Sequence, residues 1–298
     1  MKRPSPVIRA ATAAFRRIPP LRGRGRAEAI FHRWLSGSGL EDVIEVNGYS
    51  LEVSLDDIIG RSIYVNGIWE RENTAVVRRL LSPGATVFDI GANTGYYTLL
   101  FSHLAGANGR VYAFEPVPST RAALERNVAR AATSSNVQIL PVAVSDHPGE
   151  VLIHVAGAIN TGASHVVSAD VDDSIFSSGR KRAGIVQTLA LRCVTGDEIW
   201  RERGRPAVDL VKIDIEGHEL HALRGMPELL NANDNIVVLV EVRESFLVAG
   251  GASAGELFAF MSAHGFTSYD FEVRRGTFYC NNSVRSGELI IFTRRELS

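Results

Sequence analysis

From about residue 86 onward, short apolar runs alternate with segments whose apolar residues recur at helical spacing. That rhythm marks a parallel sheet covered by helices. "ATVFDI" reads as the first strand. "GYYTLLFSHLAG" follows as a helix, with Tyr97, Leu100, Phe101 and Leu104 on one face and glycines closing it. "RVYAFEP" is a second strand, "STRAALERNVARAA" a helix and "VQILPVAVSD" a third strand, with "GEVLIHVA" expected to extend the sheet edge as a hairpin. "IVQTLALRCV" reads as a strand, and "TGDEIW" starts a helix with Thr195 and Glu198 spaced as a capping box. The buried strand "VDLVKIDIEG", the helix "HELHALRGMPELL" and the strand "NIVVLVEV" come next. "SAGELFAFMSAHG" is a helix capped by Ser253, and "FTSYDFEV" and "GELIIFTR" close the chain as an antiparallel pair.

Two regions depart from the rhythm. Residues 40–74 hold a small β element, "VIEVNGYSLEV", and a turn. Residues 156–184 are rich in Gly, Ser and Asp and keep no period, as a lid, a binding loop or a mobile surface insertion would. The pattern therefore predicts an N-terminal arm over 1–39, a small extension over 40–74 and one α/β domain over 75–298 that carries the insertion. No internal repeat is visible.

Composition adds little for the domain and more for the arm. The chain of 298 residues is 45% hydrophobic and 22% charged, ordinary for a globular protein, with a formal net charge of -1. The arm is different. Lys2, Arg3, Arg9, Arg16, Arg17, Arg22, Arg24, Arg26 and Arg33 face only Glu28. A loosely ordered solvated arm, a surface for anionic membrane or nucleic acid, and a transit peptide all share that composition. Pro19, Pro20, Gly23 and Gly25 would interrupt the long helix a transit peptide needs. Cys193 and Cys280 lie far apart and form no metal-binding spacing, so both are expected to be reduced. With no secretory signal and no apolar run of membrane-spanning length, the expected location is cytoplasmic, and the Asn281-Asn282-Ser283 triplet is read as chance.

In a doubly wound sheet, ligands bind beyond the carboxyl ends of the strands. The polar residues closing the strands are Asp89, Glu115, Ser145 with Asp146, Asp214 with Glu216, and Glu241 with Arg243. The loop after Asp89 is G-A-N-T-G, not the G-x-G-x-x-G of a dinucleotide site, which argues against a nicotinamide oxidoreductase. Gly91 and Gly95 permit a tight turn. Glu115 stands where an acid accepts hydrogen bonds from ribose hydroxyls. Asp89 would repel a pyrophosphate and suit a cation. The implied ligand is a positively charged nucleoside without phosphate, the character of S-adenosylmethionine. For either acid alone, a helix cap or a surface salt bridge is the plain alternative.

These segments resemble the FkbM family of class I, Rossmann-like S-adenosylmethionine-dependent methyltransferases. "IYVNGIWE", "VFDIGANTGYYT", "VYAFEPVP", "VAVSD", "VKIDIEGHE" and "GELIIF" carry the resemblance across most of residues 60–295, and "RRIPPLRGRGR" looks like the leader of bacterial members. The resemblance implies a seven-stranded, mostly parallel sheet of order 3-2-1-4-5-7-6 with strand 7 antiparallel. It implies O-methylation of a sugar, glycoside or secondary metabolite. It assigns Asp89, Gly91, Asn93 and Gly95 to the methionine-binding turn, Glu115 to the ribose, and Ser145 and Asp146 to the adenine. Gly67 and Glu70 fall in an upstream segment bordering the cofactor, and Asp214, Glu216 and His218 face the methyl-transfer centre. Thr195-Gly196-Asp197 departs from the usual Thr-Leu-Asp.

An alcohol needs a base within hydrogen-bond reach to become a good nucleophile. Asp214, Glu216, His218 and Glu219 are the candidates, with strand-end Asp214 best placed and His218 titrating near the right range. His218 could equally be a surface or capping residue. Asp214, Glu216 and Glu241 could instead hold a divalent cation such as magnesium, or form ion pairs with Lys212 and Arg243. Asn160, His165, Asp170, Asp172 and Asp173 in the insertion could meet a polyhydroxylated acceptor. A non-catalytic nucleoside-binding module is one alternative. A methyltransferase for another acceptor, an amine or a nucleic acid, is the second. "DIEGHE" lacks the Asn/Asp-Pro-Pro-aromatic stretch of base-modifying enzymes, which argues against nucleic acid.

Overall fold

The computed structural model describes residues 2–17, 24–131, 134–157, 161–167, 185–286 and 288–297. Helices α1 (Pro6–Arg16) and α2 (Arg24–Leu35) precede a hairpin of β1 (Glu41–Val46) and β2 (Tyr49–Ser54). Helices α3 (Ile58–Asn66) and α4 (Arg71–Leu80) lead into the alternation read from the sequence: β3 (Thr86–Ile90), α5 (Tyr96–Ala105), β4 (Arg110–Phe114), α6 (Pro118–Arg130) and β5 (Val137–Leu140). Four further strands follow, β6 (Ala143–Val144), β7 (Gly149–Ala156), β8 (His165–Val166) and β9 (Ile185–Val194). The chain then runs through α7 (Gly196–Glu202), β10 (Leu210–Ile213), α8 (Glu219–Arg224), α9 (Pro227–Ala232), β11 (Val237–Val242), α10 (Glu244–Ala249) and α11 (Ala254–Ala263). It ends with β12 (Thr267–Glu272), β13 (Thr277–Cys280) and β14 (Glu288–Thr293).

The main sheet has the order β13-β12-β14-β11-β10-β3-β4-β5. Strands β5, β4, β3, β10 and β11 are mutually parallel, and β14 runs antiparallel to both β11 and β12. Eight strands stand where seven were expected. After β12 the chain turns through Gly276, in the left-handed region at φ 66°, and adds β13 as an edge hairpin. The central strands are apolar throughout because both faces are covered. Phe88, Ile90, Val211 and Ile213 pack on one face with Leu220, and Val87 and Leu210 pack on the other with Leu100 and Phe101.

"GEVLIHVA" does not extend the main sheet. It forms β7, which pairs antiparallel with β9 in a separate four-stranded sheet of order β6-β9-β7-β8. Pro141, between β5 and β6, has no N–H to donate to a ladder, and there the chain leaves the main sheet for β9. The N-terminal helices also dock. Phe15 and Leu35 are buried with Ile63 and Tyr64 of α3, and Arg16 Nε donates to the Tyr64 carbonyl at 3.0 Å. Thr195 and Glu198 do form the capping box. A Cβ on Gly196 would lie 2.9 Å from the Cβ of Met226, so glycine makes room for that side chain. Asp197 accepts from the N–H groups of Glu228 and Leu229 and so caps α9.

Candidate active site

The loop between β3 and α5 is fixed by close approach. Gly91 has φ 85°, and a Cβ there would stand 2.0 Å from the Asp214 carbonyl oxygen. Only glycine allows that backbone contact. The N–H groups of Gly91 and Ala92 both donate to the Phe114 carbonyl, tying the loop to the end of β4. Gly95, at φ 98°, lets α5 start against Leu124 of α6.

Glu115 closes β4 within this frame. Its Oε2 accepts from the Asn93 N–H at 3.0 Å and its Oε1 from the Val117 N–H at 2.9 Å. Burial pushes its carboxyl up to about 7 against those two stabilising bonds. Glu115 lines a narrow cavity of about 70 Å³ with Phe114, Val117, Val142 and Val144. A wider one of about 240 Å³ adjoins it, lined by Trp69, Glu70, Tyr97, Lys212, Glu241 and Arg243. Gly91, Asn93, Gly162, Asp214 and Glu216 line both. Gly162 comes from the insertion. Its neighbour Thr161 donates from N–H and Oγ1 to Asp57 Oδ1, at 3.0 Å each, and Asp57 caps α3.

The wider cavity concentrates carboxylates. Oxygens of Asp214, Glu216 and Glu241 lie within 4.8 Å of one another. Lys212 Nζ is 2.8 Å from Asp214 Oδ2 and 4.7 Å from the centre of the Tyr97 ring. Burial would raise the Asp214 carboxyl, but Lys212 outweighs it and holds that carboxyl below the usual range. Glu216 forms no salt bridge among the described residues. Burial, and then the Asp214 charge, lift it well above the ordinary value, and its Oε2 accepts no hydrogen bond among the described residues. Its backbone is left-handed at φ 52°, an uncommon conformation for a non-glycine residue. Burial and Asp214 also push Glu241 up to about 10, although Arg243 pairs with it at 2.6 Å. Two of the three acids are paired with cations, Asp214 with Lys212 and Glu241 with Arg243. Glu70 accepts from Tyr97 Oη at 2.8 Å and from Asn73 Nδ2 at 3.0 Å.

Several expected positions differ. Asp89 lines neither cavity. It is fully buried behind the loop, accepts from Thr98 Oγ1 at 2.5 Å and sits in register with Lys212 on β10. Its carboxyl therefore lies beside a lysine inside the sheet. Ser145 and Asp146 also miss the narrow cavity, whose wall at that point is Val142, Ala143 and Val144. Ser145 Oγ contacts His218 Nε2 at 2.9 Å, and Asp146 faces an outer groove, bridging His147 and His221 at 2.6 and 2.8 Å. Burial, then the neighbouring His221, pushes His218 down to about 3. It lines the narrow cavity and not the acidic one. Gly67 ends α3 in the left-handed region and lines neither cavity. His165 lines the narrow cavity. Asn160, Asp170, Asp172 and Asp173 lie outside the described residues. Tyr97 and Thr161 escaped the sequence reading as cavity residues. Lys212 was read only as an ion-pair partner, yet a lysine inside the apolar run "VDLVKIDI" signals a carboxylate partner across the sheet.

Residues 89–268 match the Methyltransferase FkbM domain model. A stretch of 202 residues, 63% of the chain, is 32% identical to 74% of the 31-O-demethyl-FK506 methyltransferase FkbM of Streptomyces tacrolimicus. Over 203 residues, 66% of the chain is 27% identical to 72% of the hexuronic acid methyltransferase AglP of Haloferax volcanii. Among solved structures, the methyltransferase FkbM of Methylobacillus flagellatus KT aligns with 78% of this chain and 52% of its own, at 12% identity and a TM-score of 0.42.

Proposed function

Since this chain belongs to the FkbM methyltransferase domain family, we propose that it uses S-adenosylmethionine to methylate a hydroxyl of a sugar, glycoside or secondary metabolite. The observation that carries the reading is Glu115, held by two backbone N–H groups in the wall of a narrow, mostly apolar cavity, next to a second cavity rich in carboxylates. A nucleoside without phosphate fits that pair. No lysine or arginine is among the described residues lining the narrow cavity, so a pyrophosphate would find no counter-ion there. Phe114, Val117 and Val142 to Val144 would hold the adenine, and Glu115 the ribose hydroxyls. Asp214 and Glu216, shared by both cavities, would face the ammonium and sulfonium charges. The two relatives, named as methyltransferases of 31-O-demethyl-FK506 and of hexuronic acid, support a hydroxyl-bearing acceptor.

S-adenosylmethionine, when bound, supplies a methyl group on a positively charged sulfur. The chain's own residues supply alignment and proton transfer. The wider cavity, lined by Trp69 and Tyr97, receives the acceptor. Lys212 keeps Asp214 ionised, which fixes a negative charge at the junction of the cavities. Beside a bound cation Glu216 loses its proton, because an opposite charge favours the ionised form. It then accepts the proton of the acceptor hydroxyl. Its buried, unpartnered oxygen is basic enough for that role, whereas Asp214 is held too acidic. Glu216, rather than His218, is the proposed base.

Calorimetric titration with S-adenosylhomocysteine and with NAD tests the cofactor, and labelled methyl transfer to a panel of sugars and glycosides tests the reaction. Binding of the first ligand alone is expected. Glu216→Gln is expected to lower turnover about 10²–10⁴-fold, the usual worth of a general base. Tight binding with no turnover of any acceptor would favour the non-catalytic module.

A further inference from the structure

The cations of the N-terminal helices divide into two sets. Arg16 turns inward to the Tyr64 carbonyl, and Arg9 pairs with buried Asp42. Lys2, Arg3, Arg17, Arg26 and Arg33 are exposed and have no salt bridge among the described residues. Glu28, the lone acid before residue 41, is turned toward α3, where its Oε1 accepts from Asn66 Nδ2 at 2.7 Å. The exposed cations that flank α1 and lie on α2 thus meet no acidic partner among the described residues.

Large apolar side chains are exposed on both helices as well. On α1 the exposed positions Val7, Ala10, Ala14 and Arg17 follow helical spacing. On α2 the exposed positions Arg26, Ile30, Arg33 and Trp34 do the same. Val7, Ile30 and Trp34 are 75%, 69% and 56% exposed. The rings of Phe15 and Phe31, 5.1 Å apart, join the two helices, and both helices pack on α3, whose residues Ile58 and Ile59 line the wider cavity.

We propose that this two-helix face is a docking surface for an anionic lipid bilayer. Cations flanking an apolar ridge are what the headgroup region selects: the ridge enters the acyl boundary while the arginines meet lipid phosphates. Tryptophan is favoured at that depth. Two other occupants fit less well. A nucleic acid would satisfy the arginines and leave Val7, Ile30 and Trp34 against phosphate and water. A second copy joined through this face would set basic surface against basic surface.

The test is co-sedimentation of the full chain with vesicles, comparing pure phosphatidylcholine with roughly three parts phosphatidylcholine to one part phosphatidylglycerol. Binding to the anionic vesicles, weakened by high salt, is expected. Arg26→Gln with Arg33→Gln should lower the partition roughly 25-fold, about fivefold per cation. Ile30→Ser with Trp34→Ser should lower it further, and the tryptophan emission should shift to the blue on vesicles in the wild type but not in Trp34→Phe. All these positions are exposed, so unchanged melting temperature and S-adenosylhomocysteine binding serve as folding controls. No sedimentation with anionic vesicles, or binding unchanged in both double variants, overturns the proposal. Retention on duplex DNA without vesicle binding overturns it in favour of nucleic acid. Self-association abolished by the same variants, again without vesicle binding, overturns it in favour of a second copy.

Discussion

Replacing Lys212 by Met removes one charge from the centre of the sheet and little else, since the methionine chain follows the same path as the lysine stem. The Lys212 side chain is 3% exposed and its Nζ lies 2.8 Å from Asp214, whose side chain is 30% exposed. At that distance an effective dielectric of about 20 gives roughly 6 kcal/mol of gross attraction. Desolvation of the lysine offsets part of it, but the variant also strands the carboxylates of Asp214 and Asp89. Breaking a buried pair from one side costs about 3–5 kcal/mol, and that loss is expected at pH 7.5. The pH dependence follows from the signs. In the wild type Asp214 is depressed, so its stabilisation is present above about pH 4 and lost only as pH falls through its lower folded value. Without Lys212, burial raises the Asp214 carboxyl, and the resulting penalty fades as pH falls toward its ordinary value. The cost should therefore be smaller at pH 5 than at pH 7.5. Urea unfolding followed by tryptophan fluorescence measures both, and adding Asp214→Asn should restore at least ~1 kcal/mol in the Lys212→Met background. A loss below about 1 kcal/mol, or an equal loss at both pH values, would refute the reasoning.

Glu115→Gln keeps the shape but turns one acceptor oxygen into a donor facing a backbone N–H, so affinity for S-adenosylhomocysteine should fall roughly 10–100-fold by calorimetry. Gly91→Ala drives a methyl into the Asp214 carbonyl oxygen, and a loss of about 3 kcal/mol or more, with no ligand-induced rise in melting temperature, is expected. Glu219 accepts from the N–H groups of Ile215 and Gly217, and burial lifts its carboxyl to about 7. A raised carboxyl stabilises most below its unfolded value near 4.3 and loses that contribution as pH rises through 7, so Glu219→Gln should flatten the decline of stability between pH 5 and 8. Urea midpoints across that interval should fall in the wild type and fall less in Glu219→Gln, and equal slopes would refute the assignment.

The sequence by itself determined what depends on near neighbours: the buried strands, the helices between them, the Thr195 capping box, the glycine turn after β3 and the acids at the strand ends. Each is set by side-chain periodicity or by backbone freedom within a few residues. Tertiary structure alone decided where the charges point. Asp89 reads as a cleft residue until β10 brings Lys212 into register beside it. The histidine partners of Ser145 and Asp146 follow from the pairing of β6 with β9, which sets these residues beside His218 and His221. Glu216, Glu241 and Arg243 meet only because β10 and β11 are adjacent. Strand pairing joins residues tens of positions apart. Which face a side chain takes, and which charge it meets there, follows from that pairing rather than from its neighbours in the chain.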